Sequence, residues 1–465
     1  MTTNTSHPSL DVDLPTDSVA SPWIFSLAAV GAVWYIILWA LSILGCQTGR
    51  RRYRNRPRSP LASAASFSVP GVSVLRPLKG LDTNLYENLE STFTQEYPSF
   101  EVLLSVADER DQALPIVREL MSKYPHVDAK IIVGEEHVGE NPKVNNLIRP
   151  YRQAKNDILW VIDSNIMSTP GTMARAVDAL QGHDRAGRKI GVVHHIPFAY
   201  APESRIGSRI DEAFLNTNHA KMYLAINAVA IDSCVVGKSN MYRRSDVERV
   251  NGSRKPLEQQ GSVDTPRGLQ AFGKYMAEDN MLASAIWHEL GMRHDLSCDV
   301  ARNVVGKMTF MDYVHRRVRW IRVRKHMVLL ATVLEPFTEC ILVSAIGAWA
   351  FHWLFNFSIP IFLLLHYALW IYVDLDVYNS LAGHPLPESL RWEFMLGWAA
   401  REILTLPIFF YAVFGNEVQW RGTRYEMLWN GEVKLANQGS TAKRWWHWIR
   451  QPPKGYEAVN GSAPP

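Results

Sequence analysis

The sequence predicts an α/β domain held between N- and C-terminal membrane helices. Two observations predict the domain. Short β-rich runs alternate with helical patterns between residues 72 and 162, and acids stand where two of those runs end. A third observation predicts the membrane: uncharged apolar stretches lie towards both ends of the chain, with a polar middle between them. Strands alternating with helices imply a parallel sheet covered on both faces. Ligands of such sheets sit at the carboxyl ends of strands, where the strand order reverses.

The elements follow in order. Residues 1–22 form a tail carrying Asp11, Asp13 and Asp17, and residues 23–45 carry no charge. At ~1.5 Å per residue, such a run crosses the ~30 Å hydrocarbon core. Arg50, Arg51, Arg52, Arg54, Arg56 and Arg58 come after it. A signal peptide carries its positive charge before the apolar run, so an anchor fits better. The positive-inside rule puts the tail in the lumen and the following domain in the cytosol. Residues 46–70 read as a basic cytosolic linker, ending in a stretch rich in Ser, Ala and Pro.

The catalytic domain is expected over residues 71–330. Strands are expected at 72–75, 100–106, 131–133 and 158–162, with helices at 114–123 and 144–153. A membrane region is expected over 331–415. Its runs at 341–357 and 359–373 suggest a helical hairpin. A third run at 403–414, interrupted by Pro407, is short of a span and suggests a re-entrant or interfacial element, with a tilted span as the alternative. Residues 416–465 form a cytosolic tail with Trp445, Trp446 and Trp448 among basic residues.

The 465 residues carry a net charge of +4, which argues against a dedicated nucleic-acid binder. Four cysteines form no CxxC pair and read as thiols.

Several residues could carry chemistry. Asp163 follows the apolar run 158–162 and could anchor Mg²⁺ or Mn²⁺, which take oxygen ligands and bridge carboxylates to phosphates. A turn or helix cap is the other reading of that position. Asp279, in Ala277-Glu278-Asp279-Asn280, could be a general base for an alcohol or part of an N-cap box. Arg316 and Arg319 share a helix face and could fork onto phosphate oxygens beside Trp320, or could belong to a basic helix at lipid headgroups. Lys143 stands near a helix start, where anions are favoured. Arg76-Pro77-Leu78-Lys79-Gly80 could hold a nucleotide. His194 and His195 point to opposite faces of a strand, which favours a polar pocket wall over a metal pair.

In this order, Arg76 to Gly80, Asp108, Asn141 to Asn146, Asp163-Ser164, Gly191 to His194, Cys234 to Gly237, Ala277-Glu278-Asp279, Arg316-x-x-Arg319-Trp320 and Trp420-Arg421 resemble the ceramide glucosyltransferase family. The resemblance runs from about residue 74 to 425. It implies family 2-like inverting enzymes with a glycosyltransferase-A type catalytic fold, a Rossmann-like mixed sheet. By that resemblance Asp108 lies near the nucleoside, Asp163 at the metal and diphosphate, and Asp279 acts as base. Lys79, Lys143, Arg316, Arg319 and Trp320 then serve the donor, and His194 and Trp320 the acceptor pocket. The implied reaction moves glucose from UDP-glucose to the primary hydroxyl of ceramide, with a divalent cation, at a Golgi or ER membrane. Another lipid or polysaccharide acceptor, and a non-catalytic nucleotide-binding scaffold, are the alternatives. Asp163-Ser164-Asn165 lacks the second acid found in many related transferases, and residues 251–268 look like an inserted loop.

Overall fold

Apolar residues arrive in the strands in a continuous run because the central sheet is covered on both faces. This computed structural model describes residues 22–201, 205–260, 265–420 and 422–436. Among them, β1 (Val72–Pro77), β2 (Phe100–Val106), β3 (Asp128–Val133), β4 (Ile158–Ile162), β5 (Ile166–Met167), β6 (Ile190–Tyr200), β7 (Ser239–Arg243) and β8 (Arg293–Val304) pair in the order β3-β2-β1-β4-β7-β6-β8-β5. In β4, Leu159 and Val161 enter one core cluster while Ile158, Trp160 and Ile162 enter another. Strand alternation therefore serves both faces.

The strands β1 to β4 are mutually parallel, but β7 runs antiparallel to both β4 and β6. The sheet is mixed, as the glycosyltransferase-A type requires, and not wholly parallel as alternation alone suggests. The chain leaves β1 towards β2 and β3, then returns to β4 on the other side of β1. The reversal of strand order thus falls between β1 and β4. The expected helix at 114–123 is observed as Leu114–Lys123. The expected helix at 144–153 begins earlier, as Pro142–Gln153, because Asn141 caps it and Pro142 suits its first turn.

The first apolar helix is longer than the span expected over 23–45. It runs without a break from Pro22 to Tyr53, taking in Arg50, Arg51 and Arg52. Arg50, Arg52 and Arg54 dock protein on protein. Arg50 and Arg54 pair with Asp376 at 2.7 and 2.6 Å, and Arg52 pairs with Asp295 at 2.8 Å. Part of the expected linker is therefore a helical strut joining the apolar helices to the α/β domain.

The hairpin is present as Cys340–Phe355 and Ile359–Ala382, turning at Asn356, whose φ is 52°. The third run is part of a 23-residue helix, Arg391–Val413. By length and composition alone, the segments Trp23–Tyr53, Ile359–Ala382 and Glu388–Val413 could each cross a membrane. The last of these is tied to the α/β domain at both ends, however. Glu393 pairs with Arg209 at 3.0 Å, and the carbonyl of Val413 accepts from Lys325 at 2.8 Å. Between them, Ile408 and Phe409 pack on Ile210, Tyr313 and Ile321. A helix about 35 Å long with both ends on one domain lies along that domain. The sharply broken element is another one: Leu329–Thr338 and Cys340–Phe355 meet at 71°.

Buried charge fixes this arrangement. Lys221 reaches Asp374 at 2.8 Å, and Arg401 reaches Glu339 at 2.6 Å and Glu402 at 2.7 Å. Removing one partner of such a set leaves an uncompensated buried charge, so the set holds the membrane helices in one register on the domain. An aromatic crevice of about 350 Å³, lined by Tyr35, Trp39, Phe362 and His366 among others, lies within these helices.

The chain after 416 does not begin as a free tail. A small antiparallel sheet, β9 (Glu417–Trp420), β10 (Thr423–Met427) and β11 (Val433–Leu435), docks on the domain through Lys274 and Glu432, 2.8 Å apart. Arg421, the Trp-rich tail and the acidic N-terminal tail lie outside the described residues.

Candidate functional site

Four segments converge at the carboxyl end of β4. Asp163 follows β4 directly. Because β7 is antiparallel to β4, with Ile162 opposite Ser239, the residue before β7 comes to the same edge. That residue is Lys238, whose carbonyl accepts from the Asp163 N–H at 3.1 Å. The third segment is the start of the helix Pro142–Gln153. Asn141 Oδ1 accepts from the backbone N–H of Lys143 at 2.9 Å, which presents Lys143 in the first turn. The fourth is the start of the helix Glu278–Leu290. Asn141 Nδ2 donates to Glu278 Oε2 at 2.9 Å and fastens the two helix starts together.

The side chains form a chain of charges. Lys143 Nζ lies 2.8 Å from Asp163 Oδ1 and 2.9 Å from Glu278 Oε1. Lys238 Nζ lies 3.0 Å from Asp163 Oδ2. Burial would raise the Asp163 carboxyl, but the two ammonium groups outweigh it and bring it down to about 2. Burial would lower Lys143, yet Asp163, Glu278 and Asp279 hold it well above its ordinary value. Lys238 has one acid and meets further positive charge from Arg316 and Lys143. Burial, the larger cause, and these cations bring it below its ordinary value.

Asp279 is different. It is neither the N-cap nor part of a cap box: Ala277 caps this helix without a side-chain bond, and Asp279 is the second helical residue. Burial first, then the neighbouring Glu278 carboxylate, pushes its carboxyl up to about 7 against the pull of Lys143. Its carboxylate lies against Gly237, where a Cβ would overlap it. Behind it, Val161, Val192, Tyr242 and Leu282 close a cavity of about 20 Å³, room for about one water. A carboxylate titrating near 7 is well matched to general base catalysis at neutral pH.

The remaining expected residues fall around this centre. The guanidinium of Arg316 lies over the Trp320 ring at 4.6 Å and 3.3 Å from the buried Asp211. Arg319 is half-buried on the same helix, Phe310–Lys325, which a Thr309/Asp312 capping box starts. Asp108 is exposed after β2 and accepts from the Arg110 N–H at 2.7 Å. Lys79 is exposed after β1, and the next residue, Gly80, donates its N–H to Asp111 at 3.0 Å. Arg76 does not face a nucleotide. It is buried and donates to the carbonyls of Asn88 and Ile166. His194 is buried, 2.6 Å from the Tyr223 hydroxyl, which in turn accepts from the Val236 N–H at 3.0 Å. It therefore stands one layer behind the 234–238 loop. His195 faces the other way, towards Ser239.

Mg²⁺ or Mn²⁺ at Asp163 meets a particular environment. Among the described residues no three His, Cys, Asp or Glu side chains gather as a metal-ligand set. Mg²⁺ needs few protein ligands, since one carboxylate with substrate phosphates and waters suffices. Asp163 fits that minimum, by exchanging a lysine for the ion.

Lys238 and Glu278 join the cluster although neither is among the site residues expected from the sequence, where Glu278 is only a neighbour in the Asp279 motif. Lys238 lies just outside the Cys234 to Gly237 segment, and its neighbour across the sheet is set by an antiparallel pairing that alternation does not reveal.

The sequence model of glycosyl transferase family 21 matches residues 32–433. The chain is 34% identical to a ceramide glucosyltransferase of Komagataella phaffii, over 86% of this chain and 90% of that protein. It is 33% identical to a ceramide glucosyltransferase of Pyricularia oryzae, over 90% of this chain and 98% of that protein. Among solved structures, a mannosyltransferase from Pyrobaculum calidifontis in complex with GDP-Man and Mn²⁺ aligns with a TM-score of 0.42 at 16% identity, covering 82% of this chain and 99% of that one. On the match along most of its length, the chain belongs to glycosyl transferase family 21.

Proposed function

We propose that the protein transfers glucose from UDP-glucose to the primary hydroxyl of ceramide with inversion, giving β-glucosylceramide and UDP. The observation that carries the reading is Asp279, a carboxyl pushed up to about 7 beside a strand-end cluster of lysines. The acceptor and sugar come from the names of the relatives. Asp279 takes the proton as the hydroxyl oxygen attacks the anomeric carbon from the face opposite the diphosphate. The bond from that carbon to the phosphate oxygen breaks, and UDP leaves with the electron pair. Lys143, Arg316 and Arg319 are the cations that stabilise the leaving diphosphate. Asp163 would hold a divalent cation, which supplies further charge neutralisation there. Lys79 and Asp108 serve the nucleoside and Trp320 the acceptor, while His194, buried behind the 234–238 loop, would support the pocket wall through Tyr223.

Labelled UDP-glucose given to the purified protein with a panel of lipid acceptors tests this. Glucose is expected on ceramide. Transfer to other lipids alone, or to none, would remove the reading.

Two further results are expected. The base form of Asp279 dominates above its raised pKa, so kcat/KM should climb with pH up to about 7 and then level. A profile already flat from pH 5 upward would detach the rate from this carboxyl. The catalytic domain should also face the cytosol at a Golgi or ER membrane, where UDP-glucose is made available. Protease added to sealed vesicles with the cytosolic face outward should cut it, and full protection would reverse the topology.

A further inference from the structure

Given the UDP-sugar donor proposed above, we infer that Lys238 binds the donor's diphosphate directly. The pairing of β4 with β7 places its backbone against Asp163 at the strand-end edge where the site forms. Its side chain is 18% exposed, so solvent reaches part of it. An ammonium has three donors. One goes to Asp163 at 3.0 Å and a second points to Asn165 Oδ1 at 3.4 Å. Among the described residues, no hydrogen-bond partner takes the third.

Charge counting supports the same role. Three carboxylates, those of Asp163, Glu278 and Asp279, meet at this edge with Lys143 and Lys238. Without Lys238, a single ammonium would face the acids Asp163 and Glu278 and a partly ionised Asp279, which leaves an anionic diphosphate without attraction where the leaving group must sit. Arg316 is close enough for its charge to act on Lys238, and its guanidinium lies over the Trp320 ring at 4.6 Å, so positive charge continues towards Trp320. Neutralising Asp163 is the rival role for Lys238, and it predicts a different result when Asp163 is itself neutralised.

Calorimetric titration with UDP in EDTA separates the two. The proteins are the unaltered chain, Lys238→Met, Asp163→Asn and the double variant, each checked by thermal melting. Direct contact predicts a loss of UDP affinity of roughly 10–100-fold from Lys238→Met in both backgrounds. Lys238→Arg should restore part of it. A loss in the unaltered background that vanishes with Asp163→Asn overturns the proposal, because Lys238 then serves only to balance Asp163. Equal affinity with and without Lys238 overturns it as well, in EDTA or, if UDP binds only with Mg²⁺, in Mg²⁺. Absence of UDP binding under both conditions instead removes the donor reading.

Discussion

Asp279→Asn is expected to lower turnover by about 10²–10⁴-fold, the usual contribution of a general base. The variant keeps the side chain's size and removes its ability to take a proton. UDP affinity and melting temperature should change little. Asp279 does not cap its helix, since Ala277 holds that position. Its carboxyl is already pushed up to about 7, so near neutral pH a neutral amide removes less than a full charge. The residual activity should also lose the rise in kcat/KM below pH 7. Turnover, UDP affinity and the pH profile measured on one preparation decide the matter. Near-normal turnover would remove Asp279 from the mechanism and turn attention to Glu278, its neighbour in the first turn.

Gly237→Ala is the second large effect, and it comes from packing alone. A methyl group there overlaps the Asp279 carboxylate. The loop has little freedom to yield. The Val236 N–H donates to the Tyr223 hydroxyl at 3.0 Å, the Lys238 carbonyl accepts from Asp163 at 3.1 Å, and the Val235 carbonyl accepts from Asn280 at 3.2 Å. The carboxylate must therefore move. A displacement of about 1 Å in a catalytic group can cost about 10²-fold, and a turnover loss of that order is expected with UDP affinity retained. Combined with Asp279→Asn, the change should add almost nothing, because both act on one group. Full activity in Gly237→Ala, or additive losses in the double variant, would mean that Asp279 does not work from its observed position.

Much of this protein is legible in its sequence, and the physical reasons are local. Period and length give β4, whose apolar run must be buried on both faces, and they give the apolar hairpin after residue 340. Asn141 followed by Pro142 is a helix start that needs no tertiary help, and it carries Lys143 with it. Asp163 stands at a strand end for the same local reason. The charge following the first apolar run is the local signal on which the proposed orientation rests, although Arg50, Arg52 and Arg54 prove to be paired with Asp376 and Asp295. Other features depend on distant segments. No pattern near Lys238 reveals that β7 runs antiparallel beside β4, which brings Lys238 to Asp163 across 75 residues. The carboxyl of Asp279 is ordinary in sequence. Its raised pKa comes from enclosure against Gly237 and from Glu278, a matter of packing and desolvation. The helix Arg391–Val413 has the composition of a membrane span. Ion pairing and hydrogen bonding at its two ends, with Arg209 and Lys325, lay it along the α/β domain, through contacts between distant segments that composition does not reveal.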